Sequence, residues 1–162
     1  MNLNAAHLHI MINHAPVMWL PICVVLLGVA LVRRDAAGTR VALIAVVIAG
    51  VATVVVSLTG DPAADALRHV AGVDRNLISQ HDDAAGIAMT VSAVAGGLAL
   101  FGLIVWRRKV VPRWALAVTL LAAVGALGLV VWCSELGGQI RHPEARSGWS
   151  ALGGGAGEGT DK

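Results

Sequence analysis

The sequence is poor in charge, in aromatic residues and in cysteine. Tyrosine is absent, phenylalanine occurs once, and charged residues make up 14% of the 162 positions. A soluble domain carries about 25% charged residues, whereas 57% of this chain is hydrophobic. The composition therefore excludes an ordinary soluble domain and predicts a membrane protein. The formal net charge of +2 gives no reason to expect a nucleic-acid partner.

The only two cysteines, Cys23 and Cys133, are too few for the clusters that hold structural zinc or iron–sulfur centres. They are predicted to lie at different depths in the membrane, so we do not expect a disulfide between them. No Cys-x-x-Cys-His motif occurs, which excludes covalent attachment of a c-type haem. No basic segment precedes the first hydrophobic run, so we expect the N-terminal residues to belong to the mature protein rather than to a secretory signal peptide.

Four apolar segments are each long enough to cross about 30 Å of hydrocarbon at 1.5 Å per residue. With their polar ends they predict helices over residues 8–32, 41–59, 77–106 and 113–136. The prediction is an all-α, up-and-down transmembrane four-helix bundle that forms one domain over residues 1–146. A glycine-rich tail over residues 147–162 is predicted to be disordered.

Basic residues indicate how the bundle is oriented. Seven lie in the two short connections after the first and third segments, and five are spread over the longer segments of the opposite side. Because Lys and Arg in short loops favour the cytoplasmic side, we predict a bacterial inner-membrane protein with both termini in the periplasm. The outer loop is predicted to contain a short surface helix over residues 62–70, after a break at Gly60 and with Asp61 as its N-cap.

All six histidines fall on the predicted outer side of the membrane: His7, His9, His14, His69, His81 and His142. Neutral imidazole is the commonest metal ligand among side chains, and ionisable groups near a membrane mark function by default. The Gly-Gly pair at 137–138 is predicted to turn the chain back over the bundle and to deliver His142 to this group. The histidines therefore predict a metal or cofactor site at the outer face.

The first segment carries its histidines on two faces of a helix. One stripe contains, at spacings of four, three and four residues, His7, Met11, His14 and Met18. His9 and Asn13 share a second face, about 140° round from His14 at roughly 100° per residue. Pro16 lacks a backbone donor and is predicted to loosen the helix at the carbonyl of Ile12.

A four-helix membrane bundle with histidines on different helices is typical of b-type cytochromes, in which two imidazoles hold the haem iron. Small residues of the third segment predict a face for close helix contact that would also suit a flat macrocycle: Ala85, Met89, Ala93, Gly96 and Gly97. We expect one or two haems. The predicted axial ligands are His9, His14, His81 and His142, with His69 as a further candidate. Asn13 and Arg68 are also expected to contact the cofactor.

The predicted function is electron transfer at the outer face, by an electron-transfer protein or subunit rather than a stand-alone enzyme. The expected partners are the lipid bilayer, quinone, a periplasmic redox protein and other membrane subunits. Two alternatives remain open. The His–Met stripe offers ligands that copper accepts, and the polar outer surface also suits a structural or assembly subunit of a larger membrane complex.

Four motifs together resemble a family of bacterial four-span membrane proteins with no established activity. They are His9-x3-Asn-His14-x-Pro16, Thr59-Gly-Asp-Pro62, His81-Asp-Asp-Ala-Ala85 and Leu136-Gly-Gly-Gln-Ile-Arg-His-Pro-Glu144. The resemblance covers residues 7–146 and implies a single domain. The histidines that match the family pattern are His9, His14, His69, His81 and His142, whereas His7 has no counterpart.

Overall fold

A computed structural model describes residues 5–67 and 74–146, and all regular structure within them is helical. Its elements are α1 (Ala5–Ile12), α2 (His14–Arg33), α3 (Ala36–Leu58), α4 (Gly60–Leu67), α5 (Arg75–Val105), α6 (Arg113–Arg141) and a 3₁₀ turn (Pro143–Ala145). This confirms the all-α prediction. The predicted disordered tail, together with Arg68 and His69, lies outside the described residues.

Four stretches of helix are long and apolar enough to cross a membrane: His7–Arg33, Ala36–Asp65, Arg75–Val105 and Arg113–Ile140. Their helices alternate in direction and pack in a ring in the order α2, α3, α5 and α6, with α6 closing against α2. Large apolar side chains cover the outside of the ring, for example Val25, Phe101 and Leu121. A surface of this kind is stable in lipid rather than in water. The protein is therefore a multi-pass membrane protein with a four-helix bundle fold.

The two ends of the bundle differ in their polar residues. The histidine end, as we name it, holds His9, Thr59, His81 and Cys133, and there α1 packs against α4. The basic end is formed by the two short connections over residues 33–40 and 106–113. Trp106 and Trp114 contact each other edge to face at the basic end, with ring centroids 5.8 Å apart. Tryptophan favours the membrane–water interface, so these rings mark where the bundle leaves the hydrocarbon.

The helices α3 and α5 approach each other closely at Gly50. A Cβ atom on Gly50 would lie 2.9 Å from the carbonyl oxygen of Ser92 and 3.2 Å from the Cα of Gly96. The buried face of α5 differs from the predicted one, because Ala93 and Gly97 are exposed. The residues that α5 buries are Ile78, Ala84, Ala88, Ser92, Ala95, Gly96, Ala99 and Gly102. Adjacent helical positions differ by about 100°, so the face that meets Gly50 turns Ala93 and Gly97 outward.

The first segment is divided into α1 and α2 at Asn13, as the position of Pro16 predicts. The prediction for α4 was wrong in detail, since this helix begins at Gly60 and Asp61 lies in its first turn. Only Thr59 separates α3 from α4. Its backbone N–H and its hydroxyl both donate to the carbonyl of Val56, which closes α3 without a longer break.

The C-terminal part of α6 also corrects the sequence prediction. Gly137 and Gly138 do not turn the chain, because α6 continues through them to Arg141 and His142 follows as its C-cap. A glycine inside a helix costs only about 1 kcal/mol relative to alanine, which the extensive packing of α6 against α5 offsets. At the same end of the bundle, α5 begins at Arg75, two residues before the predicted start, and Asp74 caps it by accepting from the N–H groups of Asn76 and Leu77.

Candidate cofactor site at the histidine end

His9 connects α1 to the end of α3. Its Nδ1 atom lies 3.2 Å from the carbonyl oxygen of Val56 and 3.0 Å from the hydroxyl oxygen of Thr59. The last carbonyls of a helix lack partners within that helix, and Val56 belongs to the last turn of α3. The Val56 carbonyl accepts from Thr59, and Nδ1 of His9 lies within hydrogen-bond distance of the same oxygen from outside the helix.

The surrounding hydrogen bonds determine which nitrogen of His9 carries the proton. The Thr59 hydroxyl donates to the Val56 carbonyl at 2.7 Å, so its oxygen is left to accept. A carbonyl oxygen only accepts, and both neighbours of Nδ1 are then acceptors. Nδ1 consequently carries a proton, and in the neutral ring Nε2 keeps its lone pair. This is the tautomer of a histidine that can bind a metal through Nε2.

His81 connects α5 to α6 in the same manner. Its Nδ1 atom lies 2.9 Å from the carbonyl oxygen of Cys133 and 3.5 Å from the Cys133 sulfur. Because the carbonyl can only accept, Nδ1 is again the donor, and it is again Nε2 that has a lone pair when the ring is neutral. The Cys133 thiol in turn contacts the His81 carbonyl, with its sulfur 3.8 Å from that oxygen. Cys133 thus orients His81 from two sides, a role that its sequence context does not reveal.

Gly137 lies directly against the His81 ring. A Cβ atom at this position would be 3.0 Å from Cε1 and 3.3 Å from Nδ1 of His81. The absence of a side chain is thus what lets the imidazole reach the Cys133 carbonyl one turn earlier in α6. Gly60 lies near the other ring at an ordinary distance, 3.7 Å from Cε1 of His9. In the sequence Gly137 is marked only as one of a pair of glycines. In the structure Gly137 accommodates the ring of His81 and does not form a turn.

The two imidazoles belong to one electrostatic environment. His81 and Asp82 lie close enough to His9 for electrostatic interaction, although these residues are about seventy positions away in the sequence. Asp82 also acts on Cys133. The structure therefore brings together four helices at this end, with α1 and α3 supplying one oriented histidine and α5 and α6 supplying the other.

His142 has a hydrogen-bonded ring as well, but in a different setting. Its Nδ1 donates to the carboxylate of Glu144 at 2.9 Å, and both side chains are exposed, by 65% and 57%. The hydrogen bond from the Glu144 backbone N–H, followed by that from His142, lowers the pKa of the Glu144 carboxyl. Arg146 donates from Nε to the Gln139 carbonyl and so satisfies a C-terminal carbonyl of α6. His142 is thus held close to the end of the bundle rather than inside it.

The remaining predicted site residues lie in other places. His14 is exposed, as is the whole His–Met stripe with Met11 and Met18, so the structure does not place it in the oriented pair. Asn13 does belong near His9, and its Oδ1 is buried without a hydrogen-bond partner. Arg68 and His69 lie outside the described residues, so their predicted roles remain predictions.

The arrangement offers two imidazole Nε2 donors with fixed tautomers on different helices. Within residues 5–67 and 74–146, no group of three or more His, Cys, Asp or Glu side chains is arranged to hold a metal ion. Histidine ligands of metals almost always donate their other ring N–H to a carbonyl, carboxylate or water. His9 and His81 already satisfy this condition.

Comparison of the chain with family models, with curated proteins and with solved structures gave no match. The resemblance to bacterial four-span membrane proteins remains a prediction from the sequence motifs. The function proposed next therefore depends on the geometry at the histidine end.

Proposed function

We propose that this protein is a b-type, cytochrome-like electron-transfer protein that holds one haem at the histidine end, with His9 and His81 as axial ligands. One observation carries the proposal: each ring donates Nδ1–H to a backbone carbonyl of a neighbouring helix, at 3.2 Å for His9 and 2.9 Å for His81. Both Nε2 atoms are thereby left as ligands. A metal-binding histidine needs its ring held in a fixed orientation by groups of this kind, whereas a solvated surface histidine has no such requirement.

The donor set suits haem because the macrocycle supplies the equatorial nitrogens and the protein needs to add only axial ligands. When bound, haem supplies one-electron redox chemistry at its iron. The protein's own contribution is to fix the two imidazoles, to raise their basicity through the carbonyl contacts and to surround them with helices. Asn13 adds a buried acceptor, Oδ1, that a donor from a bound group or its water would satisfy.

The packing of the bundle limits where a macrocycle fits. The approach of Gly50 to Gly96 and to the Ser92 carbonyl leaves no room between α3 and α5 in the middle of the bundle. A haem would therefore have to lie above this crossing, at the histidine end. The exposed position of His14 gives no support to a second haem, so one haem is the proposal that the geometry favours.

Electron exchange is proposed at the histidine end alone, with quinone or a soluble redox protein as the partner. Among the described residues, histidines lie in α1, in the N-terminal parts of α2 and α5 and at the C-cap of α6, and none lies in the connections of the basic end. A chain with axial ligands at one end cannot by itself carry electrons across the membrane. The positive-inside rule would place the histidine end in the periplasm of a bacterium, which remains part of the proposal.

The first test is the air-oxidised and dithionite-reduced absorption spectrum of protein purified in detergent from cells with ample haem supply. We expect a b-type spectrum and, by pyridine haemochrome, about one haem per chain. His9→Ala and His81→Ala should each lose most of this haem, whereas His7→Ala, a change on the same helix as His9, should retain it.

The other outcomes separate the alternatives. Two haems per chain that fall to one in His14→Ala would restore the two-haem prediction in place of the single-haem proposal. Copper without iron would favour a copper-binding protein. Colourless, metal-free protein that copurifies with other membrane subunits would favour a structural role. Either of the last two results overturns the cytochrome proposal.

A further inference from the structure

A cavity of about 200 Å³ lies at the basic end, between the α2–α3 turn and the connection from α5 to α6. Four cationic side chains line it: Arg34, Arg40, Lys109 and Arg113. No carboxylate is among its lining residues. The nearest acid in the sequence, Asp35, does not line the cavity, and its carboxylate caps α3 by accepting from the Gly38 N–H at 2.6 Å. The positive charge around the cavity is therefore not neutralised by the residues that form it.

The backbone holds two of these cations in specific positions. Arg34 ends α2 with a φ of 58°, the only positive value for a non-glycine residue in the described part of the chain. Glycine is the usual residue in this left-handed position after a helix, so an arginine here is unfavourable for the backbone. Arg40 donates from Nη2 to the carbonyl of Arg107 at 2.6 Å, which ties α3 to the opposite connection. The cavity is thus built from both connections at once.

The beginning of α6 adds further positive character. Arg113 is the first residue of α6, and the N-cap residue Pro112 provides no side-chain hydrogen bond to the helix. The first N–H groups of a helix point outward and, with the helix dipole, attract anions. Both Pro112 and Arg113 line the cavity. A helix terminus without a side-chain cap therefore faces the same space as the four cations.

The apolar lining residues of the cavity and its level in the membrane indicate what kind of anion would fit. Leu31, Leu103 and Leu116 line it together with the cations, so the site has an apolar side as well as a charged one. Trp106 also lines it and contacts Trp114, whose ring is exposed on the outer surface. Because tryptophans mark the interface, the cavity lies at the level of lipid headgroups. An amphiphilic anion matches both of its sides.

We propose that this cavity binds the headgroup phosphate of one anionic phospholipid from the leaflet at the basic end. Arginine guanidinium groups and helix N-terminal N–H groups are the usual donors to phosphate oxygens. Basic pockets between membrane helices bind the headgroups of anionic lipids by this chemistry. The leucines of the floor would contact the glycerol and the first methylenes of the acyl chains. Inorganic phosphate shares the phosphate chemistry but would gain nothing from the apolar floor.

Native mass spectrometry of the whole protein tests the proposal. Delipidated protein is mixed with phosphatidylglycerol, with phosphatidylcholine or with inorganic phosphate, and the retained adducts are counted. We expect one phosphatidylglycerol per chain, retained at least about fivefold over phosphatidylcholine, as expected from about 1 kcal/mol per nearby cation. Displacement of this lipid by millimolar phosphate would identify a free-anion site and overturn the lipid proposal.

A matched pair of variants separates the cavity from general charge. Arg34→Gly with Arg113→Gln removes two cations that line the cavity, and Arg33→Gln with Arg108→Gln removes two from the same end that do not. The first variant should lose at least about fivefold of the preference for phosphatidylglycerol over phosphatidylcholine, and the second should stay within about twofold of the original chain. Equal losses in both would show diffuse attraction and refute the site.

The single variant Arg34→Gly tests whether reduced lipid retention could result from loss of folding. Glycine suits the left-handed conformation at this position, so the thermal unfolding temperature should stay the same or rise while lipid retention falls. Binding and stability would then change in opposite directions. A variant that is as stable and binds phosphatidylglycerol as well as the original chain would remove Arg34 from the site and contradict the proposal.

Discussion

At the histidine end, the polar side chains are held by the backbone of neighbouring helices, whereas at the basic end the cations surround a cavity without carboxylates. In the first arrangement the rings of His9 and His81 each donate Nδ1–H to a backbone carbonyl of a neighbouring helix. The second leaves charge that an external anion can neutralise. Polar groups at a membrane interface are costly unless they are satisfied. The two ends therefore differ in whether the protein or a ligand satisfies them.

The two ends are joined by the crossing of α3 and α5, and this crossing gives the largest expected effect. Gly50→Ala would place a Cβ 2.9 Å from the backbone carbonyl oxygen of Ser92. The contact is with backbone, so it can be relieved only if α3 and α5 move apart. We expect a loss of about 1–3 kcal/mol in the free energy of unfolding. Because α3 contributes to both ends, haem binding and lipid retention should weaken together.

Gly97→Ala is the control for that change. Gly97 is exposed on α5 and a Cβ there would meet nothing within 4 Å, so the variant should be as stable as the original chain or slightly more stable. Thermal unfolding in detergent, followed by circular dichroism, measures both variants. If Gly50→Ala unfolds at the same temperature as Gly97→Ala, then the close crossing does not hold the two ends together.

The adjacent glycines of α6 allow a change that affects the histidine end alone. Gly137→Ala would bring a Cβ to 3.0 Å from the His81 ring, whereas a Cβ on Gly138 would meet nothing within 4 Å. Alanine is favoured over glycine in a helix by about 1 kcal/mol, so Gly138→Ala should stabilise the protein and keep its haem. Gly137→Ala should displace His81 from the Cys133 carbonyl and lose most of the haem.

The measurement for this pair is the haem-to-protein ratio together with lipid retention. The lipid preference should be unchanged in both variants, since α6 residues at this end do not line the basic cavity. Equal haem content in the two alanine variants would mean that Gly137 does not position His81. Equal loss of haem and lipid in Gly137→Ala would instead indicate a general disturbance of α6.

The four-helix bundle could be predicted from the sequence, but the contacts that distinguish its two ends could not. Long apolar segments determine the spans because hydrocarbon requires a continuous run of apolar residues, and Pro16 correctly predicted the interruption at Asn13. The face that α5 buries could not be found from composition, because Ala93 and Ser92 are both small. Only the partner helix decides which of the two is buried.

The candidate site shows a similar division. The histidines could be identified as a group because imidazole is chemically distinctive. Their hydrogen-bond partners could not, since Val56 and Cys133 act through backbone carbonyls that every residue has. The glycine pair at 137–138 predicts a turn because glycine commonly ends helices. It lies within α6 instead, where Gly137 makes room for a ring that comes from another helix.

The smallest expected effect distinguishes His142 from the two half-buried histidines, His9 and His81. Its ring donates to the carboxylate of Glu144, an acceptor that titrates, whereas His9 and His81 donate to carbonyls that do not. The pKa of Glu144 is lowered, mainly by its own backbone N–H and then by His142. The contribution of this contact to stability is therefore fully present above the ordinary glutamate pKa and is lost as the pH falls through the lowered value.

Carbon-13 NMR of the Glu144 carboxyl group measures this difference. In the original chain the titration midpoint should lie below 4.5, the ordinary value for glutamate. His142→Ala should raise the midpoint only part of the way towards 4.5, since the larger cause, the backbone N–H of Glu144, is still present. An unchanged midpoint would show that the ring does not donate to this carboxylate. A midpoint that rises fully to 4.5 would assign the whole effect to His142 and leave the backbone contact without a role.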